Sequence, residues 1–248
     1  VQSTNENAIG KIRMLLASTE LQGPVRLIVS TQKGLLKSRN MALREADGDY
    51  VLLADDDCRY FSVAIEQIKT RVEAFYDSEV LTFQAVTPEG LPLNSRNAGY
   101  GDASHNSSTI MSVCSIEIVI NRSLAQRPAH LFDERFGLGT CFDTGGENIM
   151  LLDLLRVGKK VTRHCIPIVQ HPLNSRGSGA CGLSQLAFAK GAMFRRMFGL
   201  KGIVFLIGFM LRGTLSPCQP RLMPWHYGNG VLGFLKAPSK KEVQEKSE

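Results

Sequence analysis

One stretch limits the fold of this chain more than any other. Gly48-Asp49-Tyr50-Val51-Leu52-Leu53-Ala54-Asp55-Asp56-Asp57 is an apolar, strand-like run that stops at three adjacent carboxylates. Three like charges in a row repel, and a cation is the usual means of holding them together. If strand alternation continues into the cluster, Asp55 and Asp57 share one face and Asp56 points the other way. Two hard oxygen ligands then face a divalent ion whose other positions stay open to phosphate and water. A plainer role fits the same residues, with Asp57 capping a helix that begins near Ser62.

Around this run, strands alternate with helices. Ile9, Ile12, Leu15 and Leu16 have the period of an amphipathic helix behind a cap-like segment at 3–7. There follow a predicted strand at 25–30, a turn at Gly34, a helix at 38–46, a strand at 50–54, a helix at 62–76 and a strand at 79–85. Such alternation predicts an α/β fold, a mainly parallel sheet with helices on both faces. Residues 88–109 are rich in Gly, Asn and Ser and read as a long loop, an acceptor-binding or lid segment or a mobile excursion. A strand is predicted at 111–120, a glycine turn at 137–139, a helix at 147–157 and short strands at 160–163 and 166–170.

The chain changes character from Gly182 onward. Two apolar-basic helices are predicted, 183–198 and 200–211, the second too short to span a bilayer. It suits a membrane surface or the protein core equally well. The organisation read from this is a domain at 1–181, a helical tail at 182–238, and a charged, frayed end at 239–248.

A chain of 248 residues with 44% hydrophobic content can bury a good core and is not disordered. Its net charge of +6 and pI near 9.1 favour anionic partners. Lys190, Arg195, Arg196, Lys201, Arg212 and Arg221 are interleaved with Phe, Leu, Ile and Met, without any recognisable nucleic-acid-reading module. A membrane face is the better fit, and no nucleic acid is expected as a partner. Six dispersed cysteines with no C-x-x-C pair read as reduced cytosolic thiols.

Several segments in order carry a resemblance. Gly34-Leu35-Leu36-Lys37-Ser38-Arg39-Asn40-Met41-Ala42-Leu43, then Ala46 through Asp57, then Phe132-Asp133-Glu134-Arg135-Phe136-Gly137-Leu138-Gly139 with Gly145-Gly146-Glu147-Asn148-Ile149-Met150, closely resemble the family 2 glycosyltransferases of GT-A fold. About residues 1–175 are covered. The resemblance implies transfer of a sugar from a nucleotide-diphosphate donor to an acceptor hydroxyl, with inversion at the anomeric carbon. It implies Mn2+ or Mg2+ at Asp55 and Asp57, with Asp57 the direct ligand and Asp55 nearer the donor's ribose. Asp56, Lys37, Arg39 and Arg176 become donor contacts, Arg176 in a loop with Ser178 over the phosphates. His171 stands where related enzymes often complete the metal shell.

The same resemblance makes Glu147 the general base, with Asp143 and Asp153 as alternatives if the register shifts. The family typically has two successive acids there, and here the first is Gly146. The opening residues 1–5 resemble the turn after the family's second strand, so the N-terminal strand-helix-strand is expected to be missing. The acceptor implied is a saccharide or lipid-linked saccharide of cell-surface polysaccharide synthesis, at the cytoplasmic, inner face of a membrane. Two rivals remain: an inactive glycosyltransferase-like binding module, and another metal-dependent phosphoryl-transfer enzyme.

Overall fold

A computed structural model describes residues 6–18, 24–94, 101–124, 131–172, 182–215 and 224–237, with the backbone alone at 6, 8, 212–215 and 224–227. The expected segments 1–5 and 239–248, and Arg176 with Ser178, lie outside the described residues. The helices are α1 (Glu6–Ser18), α2 (Leu35–Glu45), α3 (Ala64–Ala74), α4 (Gly146–Arg156), α5 (Leu183–Phe198), α6 (Gly202–Leu215) and α7 (Pro224–Lys236). The strands are β1 (Tyr50–Leu52), β2 (Arg59–Tyr60), β3 (Val80–Val86), β4 (Ala103–Ser104), β5 (Ile118–Asn121) and β6 (Val161–Gln170).

The sheet runs β1-β5-β3-β6-β2, and β4 also pairs with β6. β3 and β6 are parallel from Val80↔Val161 to Val86↔Gln170, while β5 is antiparallel to both β1 and β3. β1, β3 and β6 therefore all point the same way. The mixed α/β architecture is as expected, but the described ladders contain a single parallel pair, because β5 is inserted in reverse between β1 and β3. Edge strands β2 and β4 are antiparallel to β6, one at each of its ends.

Alternation along the strands gives the sheet two buried faces. Val80, Ile118, Ile120 and Val161 join one apolar cluster with Leu36, Ile149, Leu151, Met193, Phe194 and Leu206. Leu81, Phe83, Ala85 and Val119 point into the other, against Ala64 and Ile68 of α3. The C-terminal helices thus share the main core with the sheet rather than standing apart from it. Phe198 and Phe205 stack at 4.1 Å between ring centroids, joining α5 to α6. No helix among the described residues is long and apolar enough to cross a membrane.

Three expected elements come out differently. Residues 111–117 form two 3-10 turns, Thr109–Ser112 and Ser115–Glu117, and only Ile118–Asn121 is strand. Side chains capture the backbone there. Asn106 Oδ1 accepts from Ser108 and Thr109 N–H at 2.9 and 3.0 Å, and the Glu117 carboxylate accepts from Cys114 and Ala85 N–H at 2.8 and 2.9 Å. Residues 24–29 carry no assigned strand, since β1 is the last strand on that side among the described residues and a ladder needs a partner. The two short strands expected at 160–163 and 166–170 are one strand, β6, with register shifts opposite Thr82–Ala85.

Candidate functional site

The site lies beyond the C-terminal ends of β1 and β6, where ligands of α/β sheets commonly bind, and α2 organises it. The first α2 residue, Leu35, donates its N–H to Leu138 O at 2.9 Å, which seats the helix end in the loop at 137–140. Arg39 and Asn40 are both buried on this helix. Arg39 Nη1 donates to Glu147 Oε1 at 2.5 Å and Nη2 to Asp55 Oδ1 at 2.8 Å, with only 8% of its side chain exposed. A planar fork suits two carboxylates in this way, as a lysine could not. Asn40 meanwhile clamps the next segment. Its Nδ2 donates to Phe132 O at 2.9 Å and to Glu134 Oε1 at 3.0 Å, and its Oδ1 accepts from Phe132 N–H at 2.9 Å.

Glu147 stands in the first turn of α4, the positive end of that helix. Its Oε1 is taken by Arg39, and Oε2 has no partner among the described residues. Gly145 caps α4 at φ +88°, and a Cβ there would meet Met193 Sδ at 2.4 Å. At Gly146 a Cβ would lie 2.1 Å from Leu36 Cδ1. The missing first acid is therefore a close-packing position in this chain.

The strand alternation expected for the aspartates does not hold. β1 ends at Leu52 and the chain turns at Asp56 and Asp57, so Asp55 goes to Arg39 while Asp57 goes to His171. His171 Nε2 lies 3.2 Å from Asp57 Oδ1, and its backbone N–H donates to Val86 O at 2.9 Å, extending the β3–β6 ladder. Asp55 Oδ2 also accepts from the Ser115 hydroxyl at 3.3 Å. Asp56 is exposed and makes no hydrogen bond or ion pair among the described residues, and half-buried Lys37 lays its stem along Gly34 without an ion pair among them. The expected cap by Asp57 is absent: α3 begins after Val63 with no side-chain cap.

No three His, Cys, Asp or Glu side chains converge as a metal cage among the described residues. The Asp57–His171 pair offers one carboxylate and one imidazole, whose Nδ1 is buried and has no partner among the described residues. That donor set fits an ion such as Mg2+ or Mn2+ that draws its remaining ligands from a substrate diphosphate and water.

Residues 12–120 match the family model described as "Glycosyl transferase family 2". Over that segment the chain is similar to the family 2 glycosyltransferases. Its fold is shared by solved structures of S. aureus TarS. Against TarS 1–349 the TM-score is 0.59 at 12% identity, covering 95% of this chain and 69% of that one. Against a longer TarS structure it is 0.52 at 12% identity, covering 86% of this chain and 36% of the other. Likeness at this identity establishes the GT-A-like fold alone. No curated protein matches the chain. The family's activity is glycosyl transfer, in general from a nucleotide-sugar to a saccharide.

Two further side chains that periodicity did not single out border the candidate site, Cys114 inside the matched segment and Lys190 beyond it. Lys190 of α5 is half-buried, and its Nζ has only Met193 Sδ, at 3.8 Å, as a partner among the described residues. Burial pushes this ammonium below the ordinary lysine value, and the Glu147 charge pulls it back. Cys114 is pushed up to about 12 by burial and by Glu117, Glu147 and Asp55, which leaves it a neutral thiol and no nucleophile. The alternative bases are engaged elsewhere. Asp143 Oδ2 accepts from Gln185 at 2.7 Å, and Asp153 Oδ2 from Arg196 at 2.7 Å. Arg196 also donates to buried Asp133 at 2.9 Å. The α5 helix is thereby fastened to the loop that Asn40 holds from the other side.

Proposed function

We propose that this glycosyltransferase carries out metal-dependent, inverting transfer of a sugar from a nucleotide-diphosphate donor to a saccharide or lipid-linked saccharide acceptor. The observation that supports it is the Arg39 bridge, in which one buried guanidinium joins the donor-side Asp55 to the acceptor-side Glu147. Asp57 and His171 would hold the metal, with Asp55 beside the donor's ribose and Asp56, Lys37 and Arg176 along the nucleotide and phosphates. When bound, the ion supplies a positive charge to the departing diphosphate.

The remaining chemistry belongs to the side chains. Arg39 holds Glu147 by Oε1, leaving Oε2 to accept the acceptor hydroxyl's proton. The acceptor oxygen bonds to the anomeric carbon as the bond to the diphosphate breaks on the opposite face, inverting that centre. Asn40 and Arg196 hold the acceptor-side loop while this happens. Close packing of Leu36 against Gly146 accounts for the glycine where the family has its first acid, and leaves Glu147 as the single carboxylate for the base role. The setting that suits this reading is cell-surface polysaccharide synthesis on the cytoplasmic side, with 1–181 as the catalytic unit and 182–238 as its helical tail.

The test is calorimetric titration with uridine and guanosine diphosphates, with and without Mn2+, followed by transfer assays with the sugar donor whose base binds. Asp57→Asn should remove the metal-dependent part of nucleotide binding. Glu147→Gln should leave binding intact and lower transfer by about 10²–10⁴-fold. Full transfer by Glu147→Gln would refute the base, and unchanged binding by Asp57→Asn the metal ligand.

A further inference from the structure

Helix α6 has two faces with opposite fates. Gly202, Leu206 and Met210 are buried against the neighbouring helices. On the other side Ile203, Val204, Ile207 and Leu211 recur at helical spacing, with Leu200 in the 3-10 turn just before the helix, and the five are 36%, 69%, 50%, 54% and 74% exposed in that order. A single exposed leucine is ordinary, but five aliphatic side chains in one row are a surface that something covers.

Charge says what covers it. Residues 154–241 contain fourteen Lys and Arg and no Asp or Glu, whereas residues 1–153 contain fourteen Lys and Arg against twenty Asp and Glu. The apolar row sits inside the acid-free part, with exposed Lys201 beside Leu200 and Arg212 directly after Leu211. A second copy docked here by two-fold symmetry would bring the same cationic segment against itself. Anionic lipid headgroups complement it instead, at about 1 kcal/mol per cation near the surface.

We propose that the α6 row lies in the surface of an anionic lipid bilayer, parallel to its plane. The helix has 14 residues, about 21 Å at about 1.5 Å per residue, so it can rest in the interface and cannot cross a core about 30 Å thick. This goes beyond the transfer reading and is tested without donor or acceptor, so either can fail alone.

The experiment is flotation of the full chain with vesicles of phosphatidylcholine mixed with phosphatidylglycerol, against vesicles of phosphatidylcholine alone. Binding is expected to the anionic vesicles only, and to weaken about tenfold or more between about 0.05 and about 0.5 M salt as screening shortens. Val204→Glu/Ile207→Glu changes two exposed positions and should lose about tenfold or more of the binding with its circular dichroism unchanged. Tyr76→Glu, at an 81% exposed position elsewhere, should bind like the wild type. Absence of binding, equal binding to neutral vesicles, or equal binding by the double variant would overturn the proposal. So would a wild-type dimer in sedimentation that the double variant turns into a monomer, since the row would then be a contact between copies.

Discussion

Replacing Arg39 by Met keeps most of the side chain's volume and removes the charge that both site carboxylates share. Each lost charge-assisted hydrogen bond is worth about 1.5–3 kcal/mol, which gives about 3–6 kcal/mol for the pair. The Glu147 and Asp55 side chains are 20% and 32% exposed, so water can re-solvate them in part and the net loss should be about 2–4 kcal/mol. For a domain of this size that lowers the melting temperature by about 5–15 °C. Urea unfolding of Arg39→Met, Glu147→Gln and the double variant forms the assay. Glu147→Gln should cost less in the Met background, where it removes an unpaired charge, with a coupling of about 1–2 kcal/mol. The reasoning fails if Arg39→Met lies within about 0.5 kcal/mol of the wild type, or if Glu147→Gln has the same effect in both backgrounds.

Further consequences concern the surrounding framework. His105, bonded to Thr82 and Thr109 hydroxyls at 2.7 and 2.9 Å, is pushed by burial and nearby Arg163 and His164 from 6.5 down to about 4. Between those values the unfolded chain takes up a proton that the folded chain refuses. Stability should therefore fall by about 3 kcal/mol as pH drops through that window, and His105→Gln should remove this share of the slope in urea midpoints measured against pH. An unchanged slope would place the acid sensitivity elsewhere. Gly145→Ala puts a Cβ at φ +88° and 2.4 Å from Met193 Sδ, so it should cost about 2–4 kcal/mol, and adding Met193→Ala should recover only the steric part. Arg196→Met should cost about 3 kcal/mol and lower transfer without weakening nucleotide binding, because it frees the Asp133 loop on the acceptor side. A matching loss of nucleotide affinity would contradict that division.

Local signals were legible wherever nothing competed with them. The α5 helix spans residues 183–198 as its apolar period and flanking glycines dictate, and α4 begins one residue before the expected Glu147. Residues 111–117 were misread because an apolar run does not reveal that Asn106 and Glu117 will capture its backbone. The motif order made Arg39, Asp55, Asp57, Glu147 and His171 stand out. It did not reveal that Arg39 would bridge Asp55 and Glu147, or that Asp57 would face His171.

By itself the sequence determined the helices α1 to α6, the strands β1 and β3, and the set of charged residues at the ends of β1 and β6. These depend on period, breakers and side-chain chemistry, which act over a few residues. Tertiary structure alone decided that β5 enters reversed between β1 and β3, that Gly146 must be bare because Leu36 fills its space, and that Arg39 divides its fork between two distant carboxylates. It also decided that one side of α6 is core while the other is left exposed. Such outcomes depend on which surfaces meet through space, and an amphipathic period announces two faces without saying what each will meet.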